Sequence, residues 1–194
     1  MLMGVTKGKT ARDVETAIEL GISVFGENRV QEAGAKWPEI KKLHPGVSLH
    51  LIGSLQSNKA REALELFDVI QTIDRPKIAE EIARLMADGK GFATKEFYIQ
   101  VNTGDEPQKA GIAPNETDSF IAYCLRELKL PVSGLMCIPP ADDLAAPHFA
   151  LLRQFAVRHR LGYLSMGMSD DYEIAIRLGS TCIRIGRALF GERA

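Results

Sequence analysis

Short apolar segments recur along the chain, each followed by a longer stretch whose apolar positions return every three or four residues. The segments at 2–6, 22–25, 48–52, 69–72, 96–101, 132–136, 162–164 and 181–185 are too short for stable helices. Several are rich in Val, Ile and Phe, and together they predict eight strands. The stretches between them read as helices. Thr10-Ala11-Arg12-Asp13 has the form of a capping box with Asp in its last place, and Val14, Ala17 and Ile18 then share one face until Gly21. Ile78, Ile82 and Leu85 recur before Gly89, and Phe120, Ile121, Cys124, Leu125 and Leu128 recur before Pro131. Ala150, Leu151, Phe155 and Val157 mark a further, less regular stripe.

Strands that alternate with helices predict a parallel sheet, because each crossover needs a helix to return the chain. Eight such units close a (β/α)8 TIM-type barrel; an open doubly wound sheet is the alternative. The barrel is favoured because polar residues of interest fall after many strands rather than around one switch point. A chain of 194 residues lies just under the usual lower size of this fold, about 200, and is expected to form one domain over 1–194.

Composition narrows the function classes. Apolar residues make up 45%, and 24 Lys and Arg against 25 Asp and Glu leave a formal net charge of −1. No global basic field therefore supports nucleic-acid binding. No apolar stretch approaches the roughly 20 residues needed to span a bilayer, and the start of the chain carries no secretory pattern. Cys124, Cys137 and Cys182 are odd in number and lack CxxC spacing, which argues against a disulfide framework or a zinc site. A soluble, reducing, cytoplasmic setting is the expectation.

Loops after the strands of such a barrel converge on one mouth, where chemistry is found. Lys7 follows the first strand and alternates with Met3 and Val5, which points it inward. A lysine in that position is costly unless it is paired, neutralised or used covalently, and a desolvated amine is a good nucleophile for an aldehyde; on spacing alone, a lysine snorkelling from the strand end is the plainer account. Lys9 shares the parity but lies in the turn, so it is the second choice. Ser169 precedes an expected helix over 170–178, and Gly186 precedes a short one over 187–190; free N–H groups at both starts suit a phosphate. Ordinary capping by Ser169, Asp170 and Asp171 is the plainer account of the first. Arg184, two residues before Gly186, is placed to pair with a carboxylate or to donate to a ring nitrogen. No His or Cys accompanies Asp170 and Asp171, so a metal site is not expected. The run from Gly53 to Lys59 fails as a Walker loop, with Asn58 in place of the second glycine and Ala60 in place of the hydroxyl. His50 reads as a satisfied core histidine, and Trp37 and Phe25 as packing residues.

These residues combine into a pattern. Val5-Thr6-Lys7, Phe25-Gly26-Glu27-Asn28 with Gln31-Glu32, His50 to Gly53 with Leu55 to Lys59, and Gly134-Leu135-Met136 occur in this order. Ser165 to Asp171, Gly179-Ser180-Thr181, Arg184-Ile185-Gly186 and Phe190-Gly191 complete it. The combination closely resembles the pyridoxal phosphate homeostasis protein family over essentially the whole chain.

The resemblance implies a single barrel like the N-terminal domain of alanine racemase, with pyridoxal 5′-phosphate (PLP) held as a Schiff base on Lys7. It implies that Ser169 and the backbone at Gly186 and Arg187 hold the phosphate, that Arg184 faces the pyridine nitrogen, and that Asn28 lies near the ring's polar edge. An arginine there leaves the nitrogen unprotonated and weakens the ring as an electron sink, which suits keeping and supplying cofactor in vitamin B6 homeostasis. The partners implied are PLP, other B6 vitamers and PLP-dependent client enzymes, with the protein a monomer or weak homodimer. Lys109 matches a family lysine without an assigned role.

Two departures stand out. The usual N-terminal helix is expected to be missing, because the first strand begins at Leu2, and Arg187 stands where a small hydroxyl residue is common. The alternatives are a PLP-dependent amino-acid racemase or decarboxylase, disfavoured by the lack of room for a second, mostly β domain after Gly191, and a cofactor-free binding module.

Overall fold

The eight apolar segments are strands in the computed structural model, which describes residues 1–89 and 91–191. They are β1 (Leu2–Val5), β2 (Val24–Glu27), β3 (Ser48–Leu51), β4 (Val69–Ile73), β5 (Glu96–Val101), β6 (Val132–Cys137), β7 (Tyr163–Ser165) and β8 (Ile183–Ile185). All pair in parallel, in the order β7-β6-β5-β4-β3-β2-β1-β8. β8 sets Arg184 opposite Met3 of β1, and a parallel bridge between Ser165 and Cys182 brings its approach against β7. There Met166 N donates to Cys182 O and Cys182 N to Leu164 O, both at 3.1 Å. The sheet is thus a nearly closed barrel, and the open doubly wound alternative falls away.

Helices α1 (Ala11–Glu19), α2 (Val30–Leu43), α3 (Ala60–Leu66), α4 (Pro76–Ala87), α5 (Pro114–Ala122), α6 (Ala145–His159), α7 (Tyr172–Arg177) and α8 (Arg187–Phe190) return the chain between strands or follow the last one. Among the described residues no helix is long and apolar enough to cross a membrane. The capping box forms as expected: Thr10 Oγ1 accepts from Asp13 N at 3.2 Å, and Asp13 Oδ2 accepts from Thr10 N at 2.8 Å. Period-2 alternation divides each strand between two environments. Phe25, Leu49, Leu51, Ile70, Phe97, Ile99 and Leu135 join Val14, Trp37, Ile78, Ile121 and Phe149 of the helices in one buried apolar shell. This shell between barrel and helices is the main core, and Trp37 packs against Phe25 with ring centroids 5.2 Å apart.

Several elements differ from the sequence expectation, among them β8, which starts at Ile183 rather than 181. β2 starts two residues later than 22, because Gly21 (φ +92°) and the bond from Ile22 N to Ala17 O belong to the end of α1. α2 has no clear sequence signal: Gly34 and Pro38 lie inside it, and glycine at 34 leaves only a bare carbonyl residue opposite the proline ring. α7 begins at Tyr172 rather than 170, because Asp171 Oδ1 accepts from Met168 N at 2.6 Å and holds 168–171 as a turn.

Gly53, just after β3, lies so close to Asn28 that an added Cβ would run into the Asn28 carbonyl. Gly53→Ala is expected to destabilise the protein by about 1–3 kcal/mol through overpacking, measured by urea unfolding. A variant as stable as the parent would show that the two loops do not press together.

Candidate functional site

β1 ends in a turn from Thr6 to Lys9, closed by Lys9 N donating to Thr6 O at 3.1 Å, and Gly8 supplies its positive φ of 69°. Only glycine takes that conformation without strain, so Lys7 sits at a tightly defined corner. Lys7 is half-buried there, and Asn28 follows β2 at a similar depth. Two strands away around the closed barrel, Gly167 (φ +98°) turns the chain after β7 into the segment carrying Ser169 and Asp170. β8 carries Arg184 and runs into the short α8 through Gly186, whose carbonyl accepts from Leu189 N at 3.0 Å and Phe190 N at 2.9 Å.

One cavity of about 460 Å³ gathers Lys7, Asn28, Ser169, Arg184, Gly186 and Arg187. All six sequence-predicted site residues therefore share one mouth, of a volume suited to a small organic ligand. Sequence reasoning missed its apolar walls, Val5, Ile52, Ile138 and Met168, and also Asp170. Val5 shares the strand parity of Lys7, while Ile52 and Ile138 directly follow strands; these positions were the available signal. The expectation that Ser169 immediately precedes a helix is corrected: it lies three residues before Tyr172, in the turn that Asp171 organises. Lys9 turns away from a binding role, since its Nζ donates to Phe190 O at 2.9 Å. Lys109 lies outside the lining and pairs with Glu106 at 2.6 Å. Arg187 makes an exposed pair with Asp170 at 3.0 Å that joins the loops after β7 and β8.

Arg184 is buried, and burial pushes its guanidinium below the usual pKa range. Among the described residues no carboxylate forms an ion pair with it; Nη1 donates to Ser165 Oγ and Nη2 to Cys137 O, both at 2.9 Å. Ser165 Oγ in turn donates to Gln71 Oε1 at 2.6 Å, and Gln71 Nε2 lies 2.8 Å from His50 Nδ1. β7 and β4 are not neighbours in the sheet, so this chain of bonds crosses the barrel interior. Gln71 has only N–H to offer at Nε2, so His50 accepts at Nδ1 and donates from Nε2 to Ser48 Oγ at 3.0 Å. His50 is thus the satisfied core histidine expected, and burial lowers its pKa to about 4, keeping it neutral. The three cysteines are free and buried, and burial raises the Cys124 and Cys137 thiols to about 12. No group of three or more His, Cys, Asp or Glu residues suited to a metal occurs among the described residues.

Together these features describe an α/β barrel with a cavity at the C-terminal mouth of its strands, lined by a lysine, a serine and two arginines. Residues 2–194 match the alanine racemase N-terminal domain family. The pyridoxal phosphate homeostasis protein of Pasteurella multocida (strain Pm70) is 39% identical over 202 residues, covering 99% of this chain and 86% of the relative. PipY of Synechococcus elongatus PCC7942, solved with PLP bound, superposes with a TM-score of 0.86 at 37% identity, covering 98% of this chain and 92% of PipY. Alanine racemase from Corynebacterium glutamicum shares the fold at TM-score 0.76 and 15% identity, with 98% of this chain matched to 55% of the enzyme. The chain belongs to the alanine racemase N-terminal domain family and, within it, to the pyridoxal phosphate homeostasis proteins.

A histidine held neutral in the fold contributes stability that is complete above its unfolded pKa of about 6.5 and is lost as pH falls towards its folded value. With the folded pKa at about 4, about 3 kcal/mol is expected to disappear between pH 6.5 and 4 on account of His50. His50→Asn keeps an acceptor for Gln71 without titrating. Denaturant melts across this range should show a shallower acid limb for the variant; parallel limbs would assign acid sensitivity elsewhere.

Proposed function

We propose that residues 1–194 act as one PLP-binding barrel that maintains and supplies cofactor in the cytoplasm without itself turning over a substrate. The observation that carries this reading is the single cavity that brings Lys7, Asn28, Ser169, Arg184, Gly186 and Arg187 together. The PLP-bound PipY structure and the naming of the relatives support it.

The donor set fits the group. PLP brings an aldehyde, a ring nitrogen and a phosphate. Lys7 supplies the amine for a Schiff base, and Ser169 with the first-turn N–H groups of Gly186 and Arg187 offers donors for the phosphate. The Arg187 side chain, which pairs with Asp170, adds a cation at the rim. Arg184 has N–H groups beyond those given to Ser165 Oγ and Cys137 O, and one of them would donate to the ring nitrogen. Asn28 would lie near the polar edge of the ring, with Val5, Ile52, Ile138 and Met168 as the apolar walls around it. A guanidinium beside the nitrogen would disfavour ring protonation and so weaken the ring as an electron sink. PLP-dependent client enzymes are the recipients in this reading, with the protein a monomer or weak homodimer that also meets other B6 vitamers.

Protein incubated with PLP should trap one borohydride-reduced adduct on Lys7 by peptide mass spectrometry, and Lys7→Ala should lose it. Ser169→Ala should weaken PLP binding about tenfold, the scale of one hydrogen bond to a charged group. An adduct that persists elsewhere in Lys7→Ala, or amino-acid racemisation or decarboxylation at enzymatic rates by the parent protein, would overturn the proposal.

A further inference from the structure

Glu27 and Glu32 belong to the sequence pattern around the second strand, yet neither lines the cavity. Glu27 is fully buried on the helix-facing side of β2, where its Oε1 accepts from Thr6 Oγ1 at 2.7 Å and from Trp37 Nε1 at 3.0 Å. The same oxygen lies 2.6 Å from Lys36 Nζ, on a side chain only 9% exposed. Lys36 donates onward to Thr6 O at 2.9 Å and Lys9 O at 3.0 Å, so its three N–H groups are all directed. Thr6 and Lys9 are the two ends of the turn that carries Lys7. Its third residue, Gly8, donates its N–H to Glu32 Oε1 at 2.5 Å. Thr6, Gly8 and Lys9 thus each commit a backbone group to one cluster on α2 and β2.

We infer that Glu27, Glu32 and Lys36 are positioning residues that hold the Lys7 turn at the cavity, an inference that rests on the PLP-binding reading of Lys7. A buried ion pair is a poor source of net stability compared with apolar residues of the same volume. What this one supplies is direction: a charged clamp with three directed donors fixes a glycine-containing turn that apolar packing would leave loose. The step it serves is attack by the Lys7 Nζ lone pair on an aldehyde carbon. A C–N bond forms, the carbonyl oxygen departs as water with both amine protons, and no net oxidation occurs. Such attack needs the reacting atoms about 3–3.5 Å apart, and a displacement of about 1 Å lowers the rate by about 100-fold.

The test compares the parent protein with Glu32→Ala and with the double variant Glu27→Gln/Lys36→Met, which leaves no unpaired buried charge. Two probes are used: PLP, followed by the rate of visible absorbance and of borohydride trapping on Lys7, and pyridoxamine 5′-phosphate, which lacks the aldehyde, followed by calorimetry. Both variants are expected to slow Lys7 trapping at least about tenfold while pyridoxamine 5′-phosphate affinity stays within about twofold of the parent. Unchanged trapping rates, or an equal loss with both probes, overturns the positioning role. Should the double variant fail to fold, Glu32→Ala decides alone, because that side chain is one-third exposed and its removal leaves the core intact. A parent protein that traps nothing on Lys7 overturns the binding reading, and this inference with it.

Discussion

Closure of the sheet by β8 is the constraint on which the rest of the molecule depends. β8 pairs with β1 on one side and approaches β7 on the other. That single placement brings the turn after the first strand beside the loops after the last two. Lys7 and Ser169, near opposite ends of the chain, then line the same cavity. In an open sheet they would lie at separate edges, and no site could form from them. Helical crossovers between parallel strands make the closure sterically available, and the apolar shell they share with the strands makes it favourable.

Closure also creates an interior that has to be filled, and this barrel fills part of it with polar groups. Arg184, Ser165, Gln71 and His50 form a continuous line across the inside. Burying a guanidinium among neutral acceptors is costly, and each missing bond would add to the cost. The line therefore has one satisfactory arrangement, which fixes both the Arg184 side chain and the His50 tautomer. A rigid donor at the cavity floor follows from interior satisfaction, so the architecture that stabilises the barrel also shapes what it binds.

The outer shell does comparable work for Lys7. Apolar packing of Trp37 against Phe25 seats α2 on the barrel, and α2 in turn carries Lys36 to the back of the Lys7 turn. The cavity residues and the helix-facing residues of β2 are thus neighbours in sequence but serve different layers. Asn28 reaches the mouth while Glu27, one position earlier, is buried towards the helix, as strand alternation requires.

Much of this was legible in the sequence. Alternation and helical spacing located eight strands and the capping box at Thr10, the convergence of strand ends singled out Lys7, Ser169, Arg184 and Gly186, and the family resemblance added Asn28 and Arg187. These features are local, or follow from topology once the fold class is known. The start of β2 and the turn that delays α7 to Tyr172 follow from short-range bonds, Ile22 N to Ala17 O and Met168 N to Asp171 Oδ1, that apolar periodicity does not record, and α2 runs through Gly34 and Pro38 against local preference. The line from His50 to Arg184 and the grip of Lys36 on Thr6 and Lys9 were likewise invisible, because they join residues far apart in the chain. A linear pattern records which side of a strand a residue takes. Which partner it meets there is set only when the sheet closes and the helices settle on it.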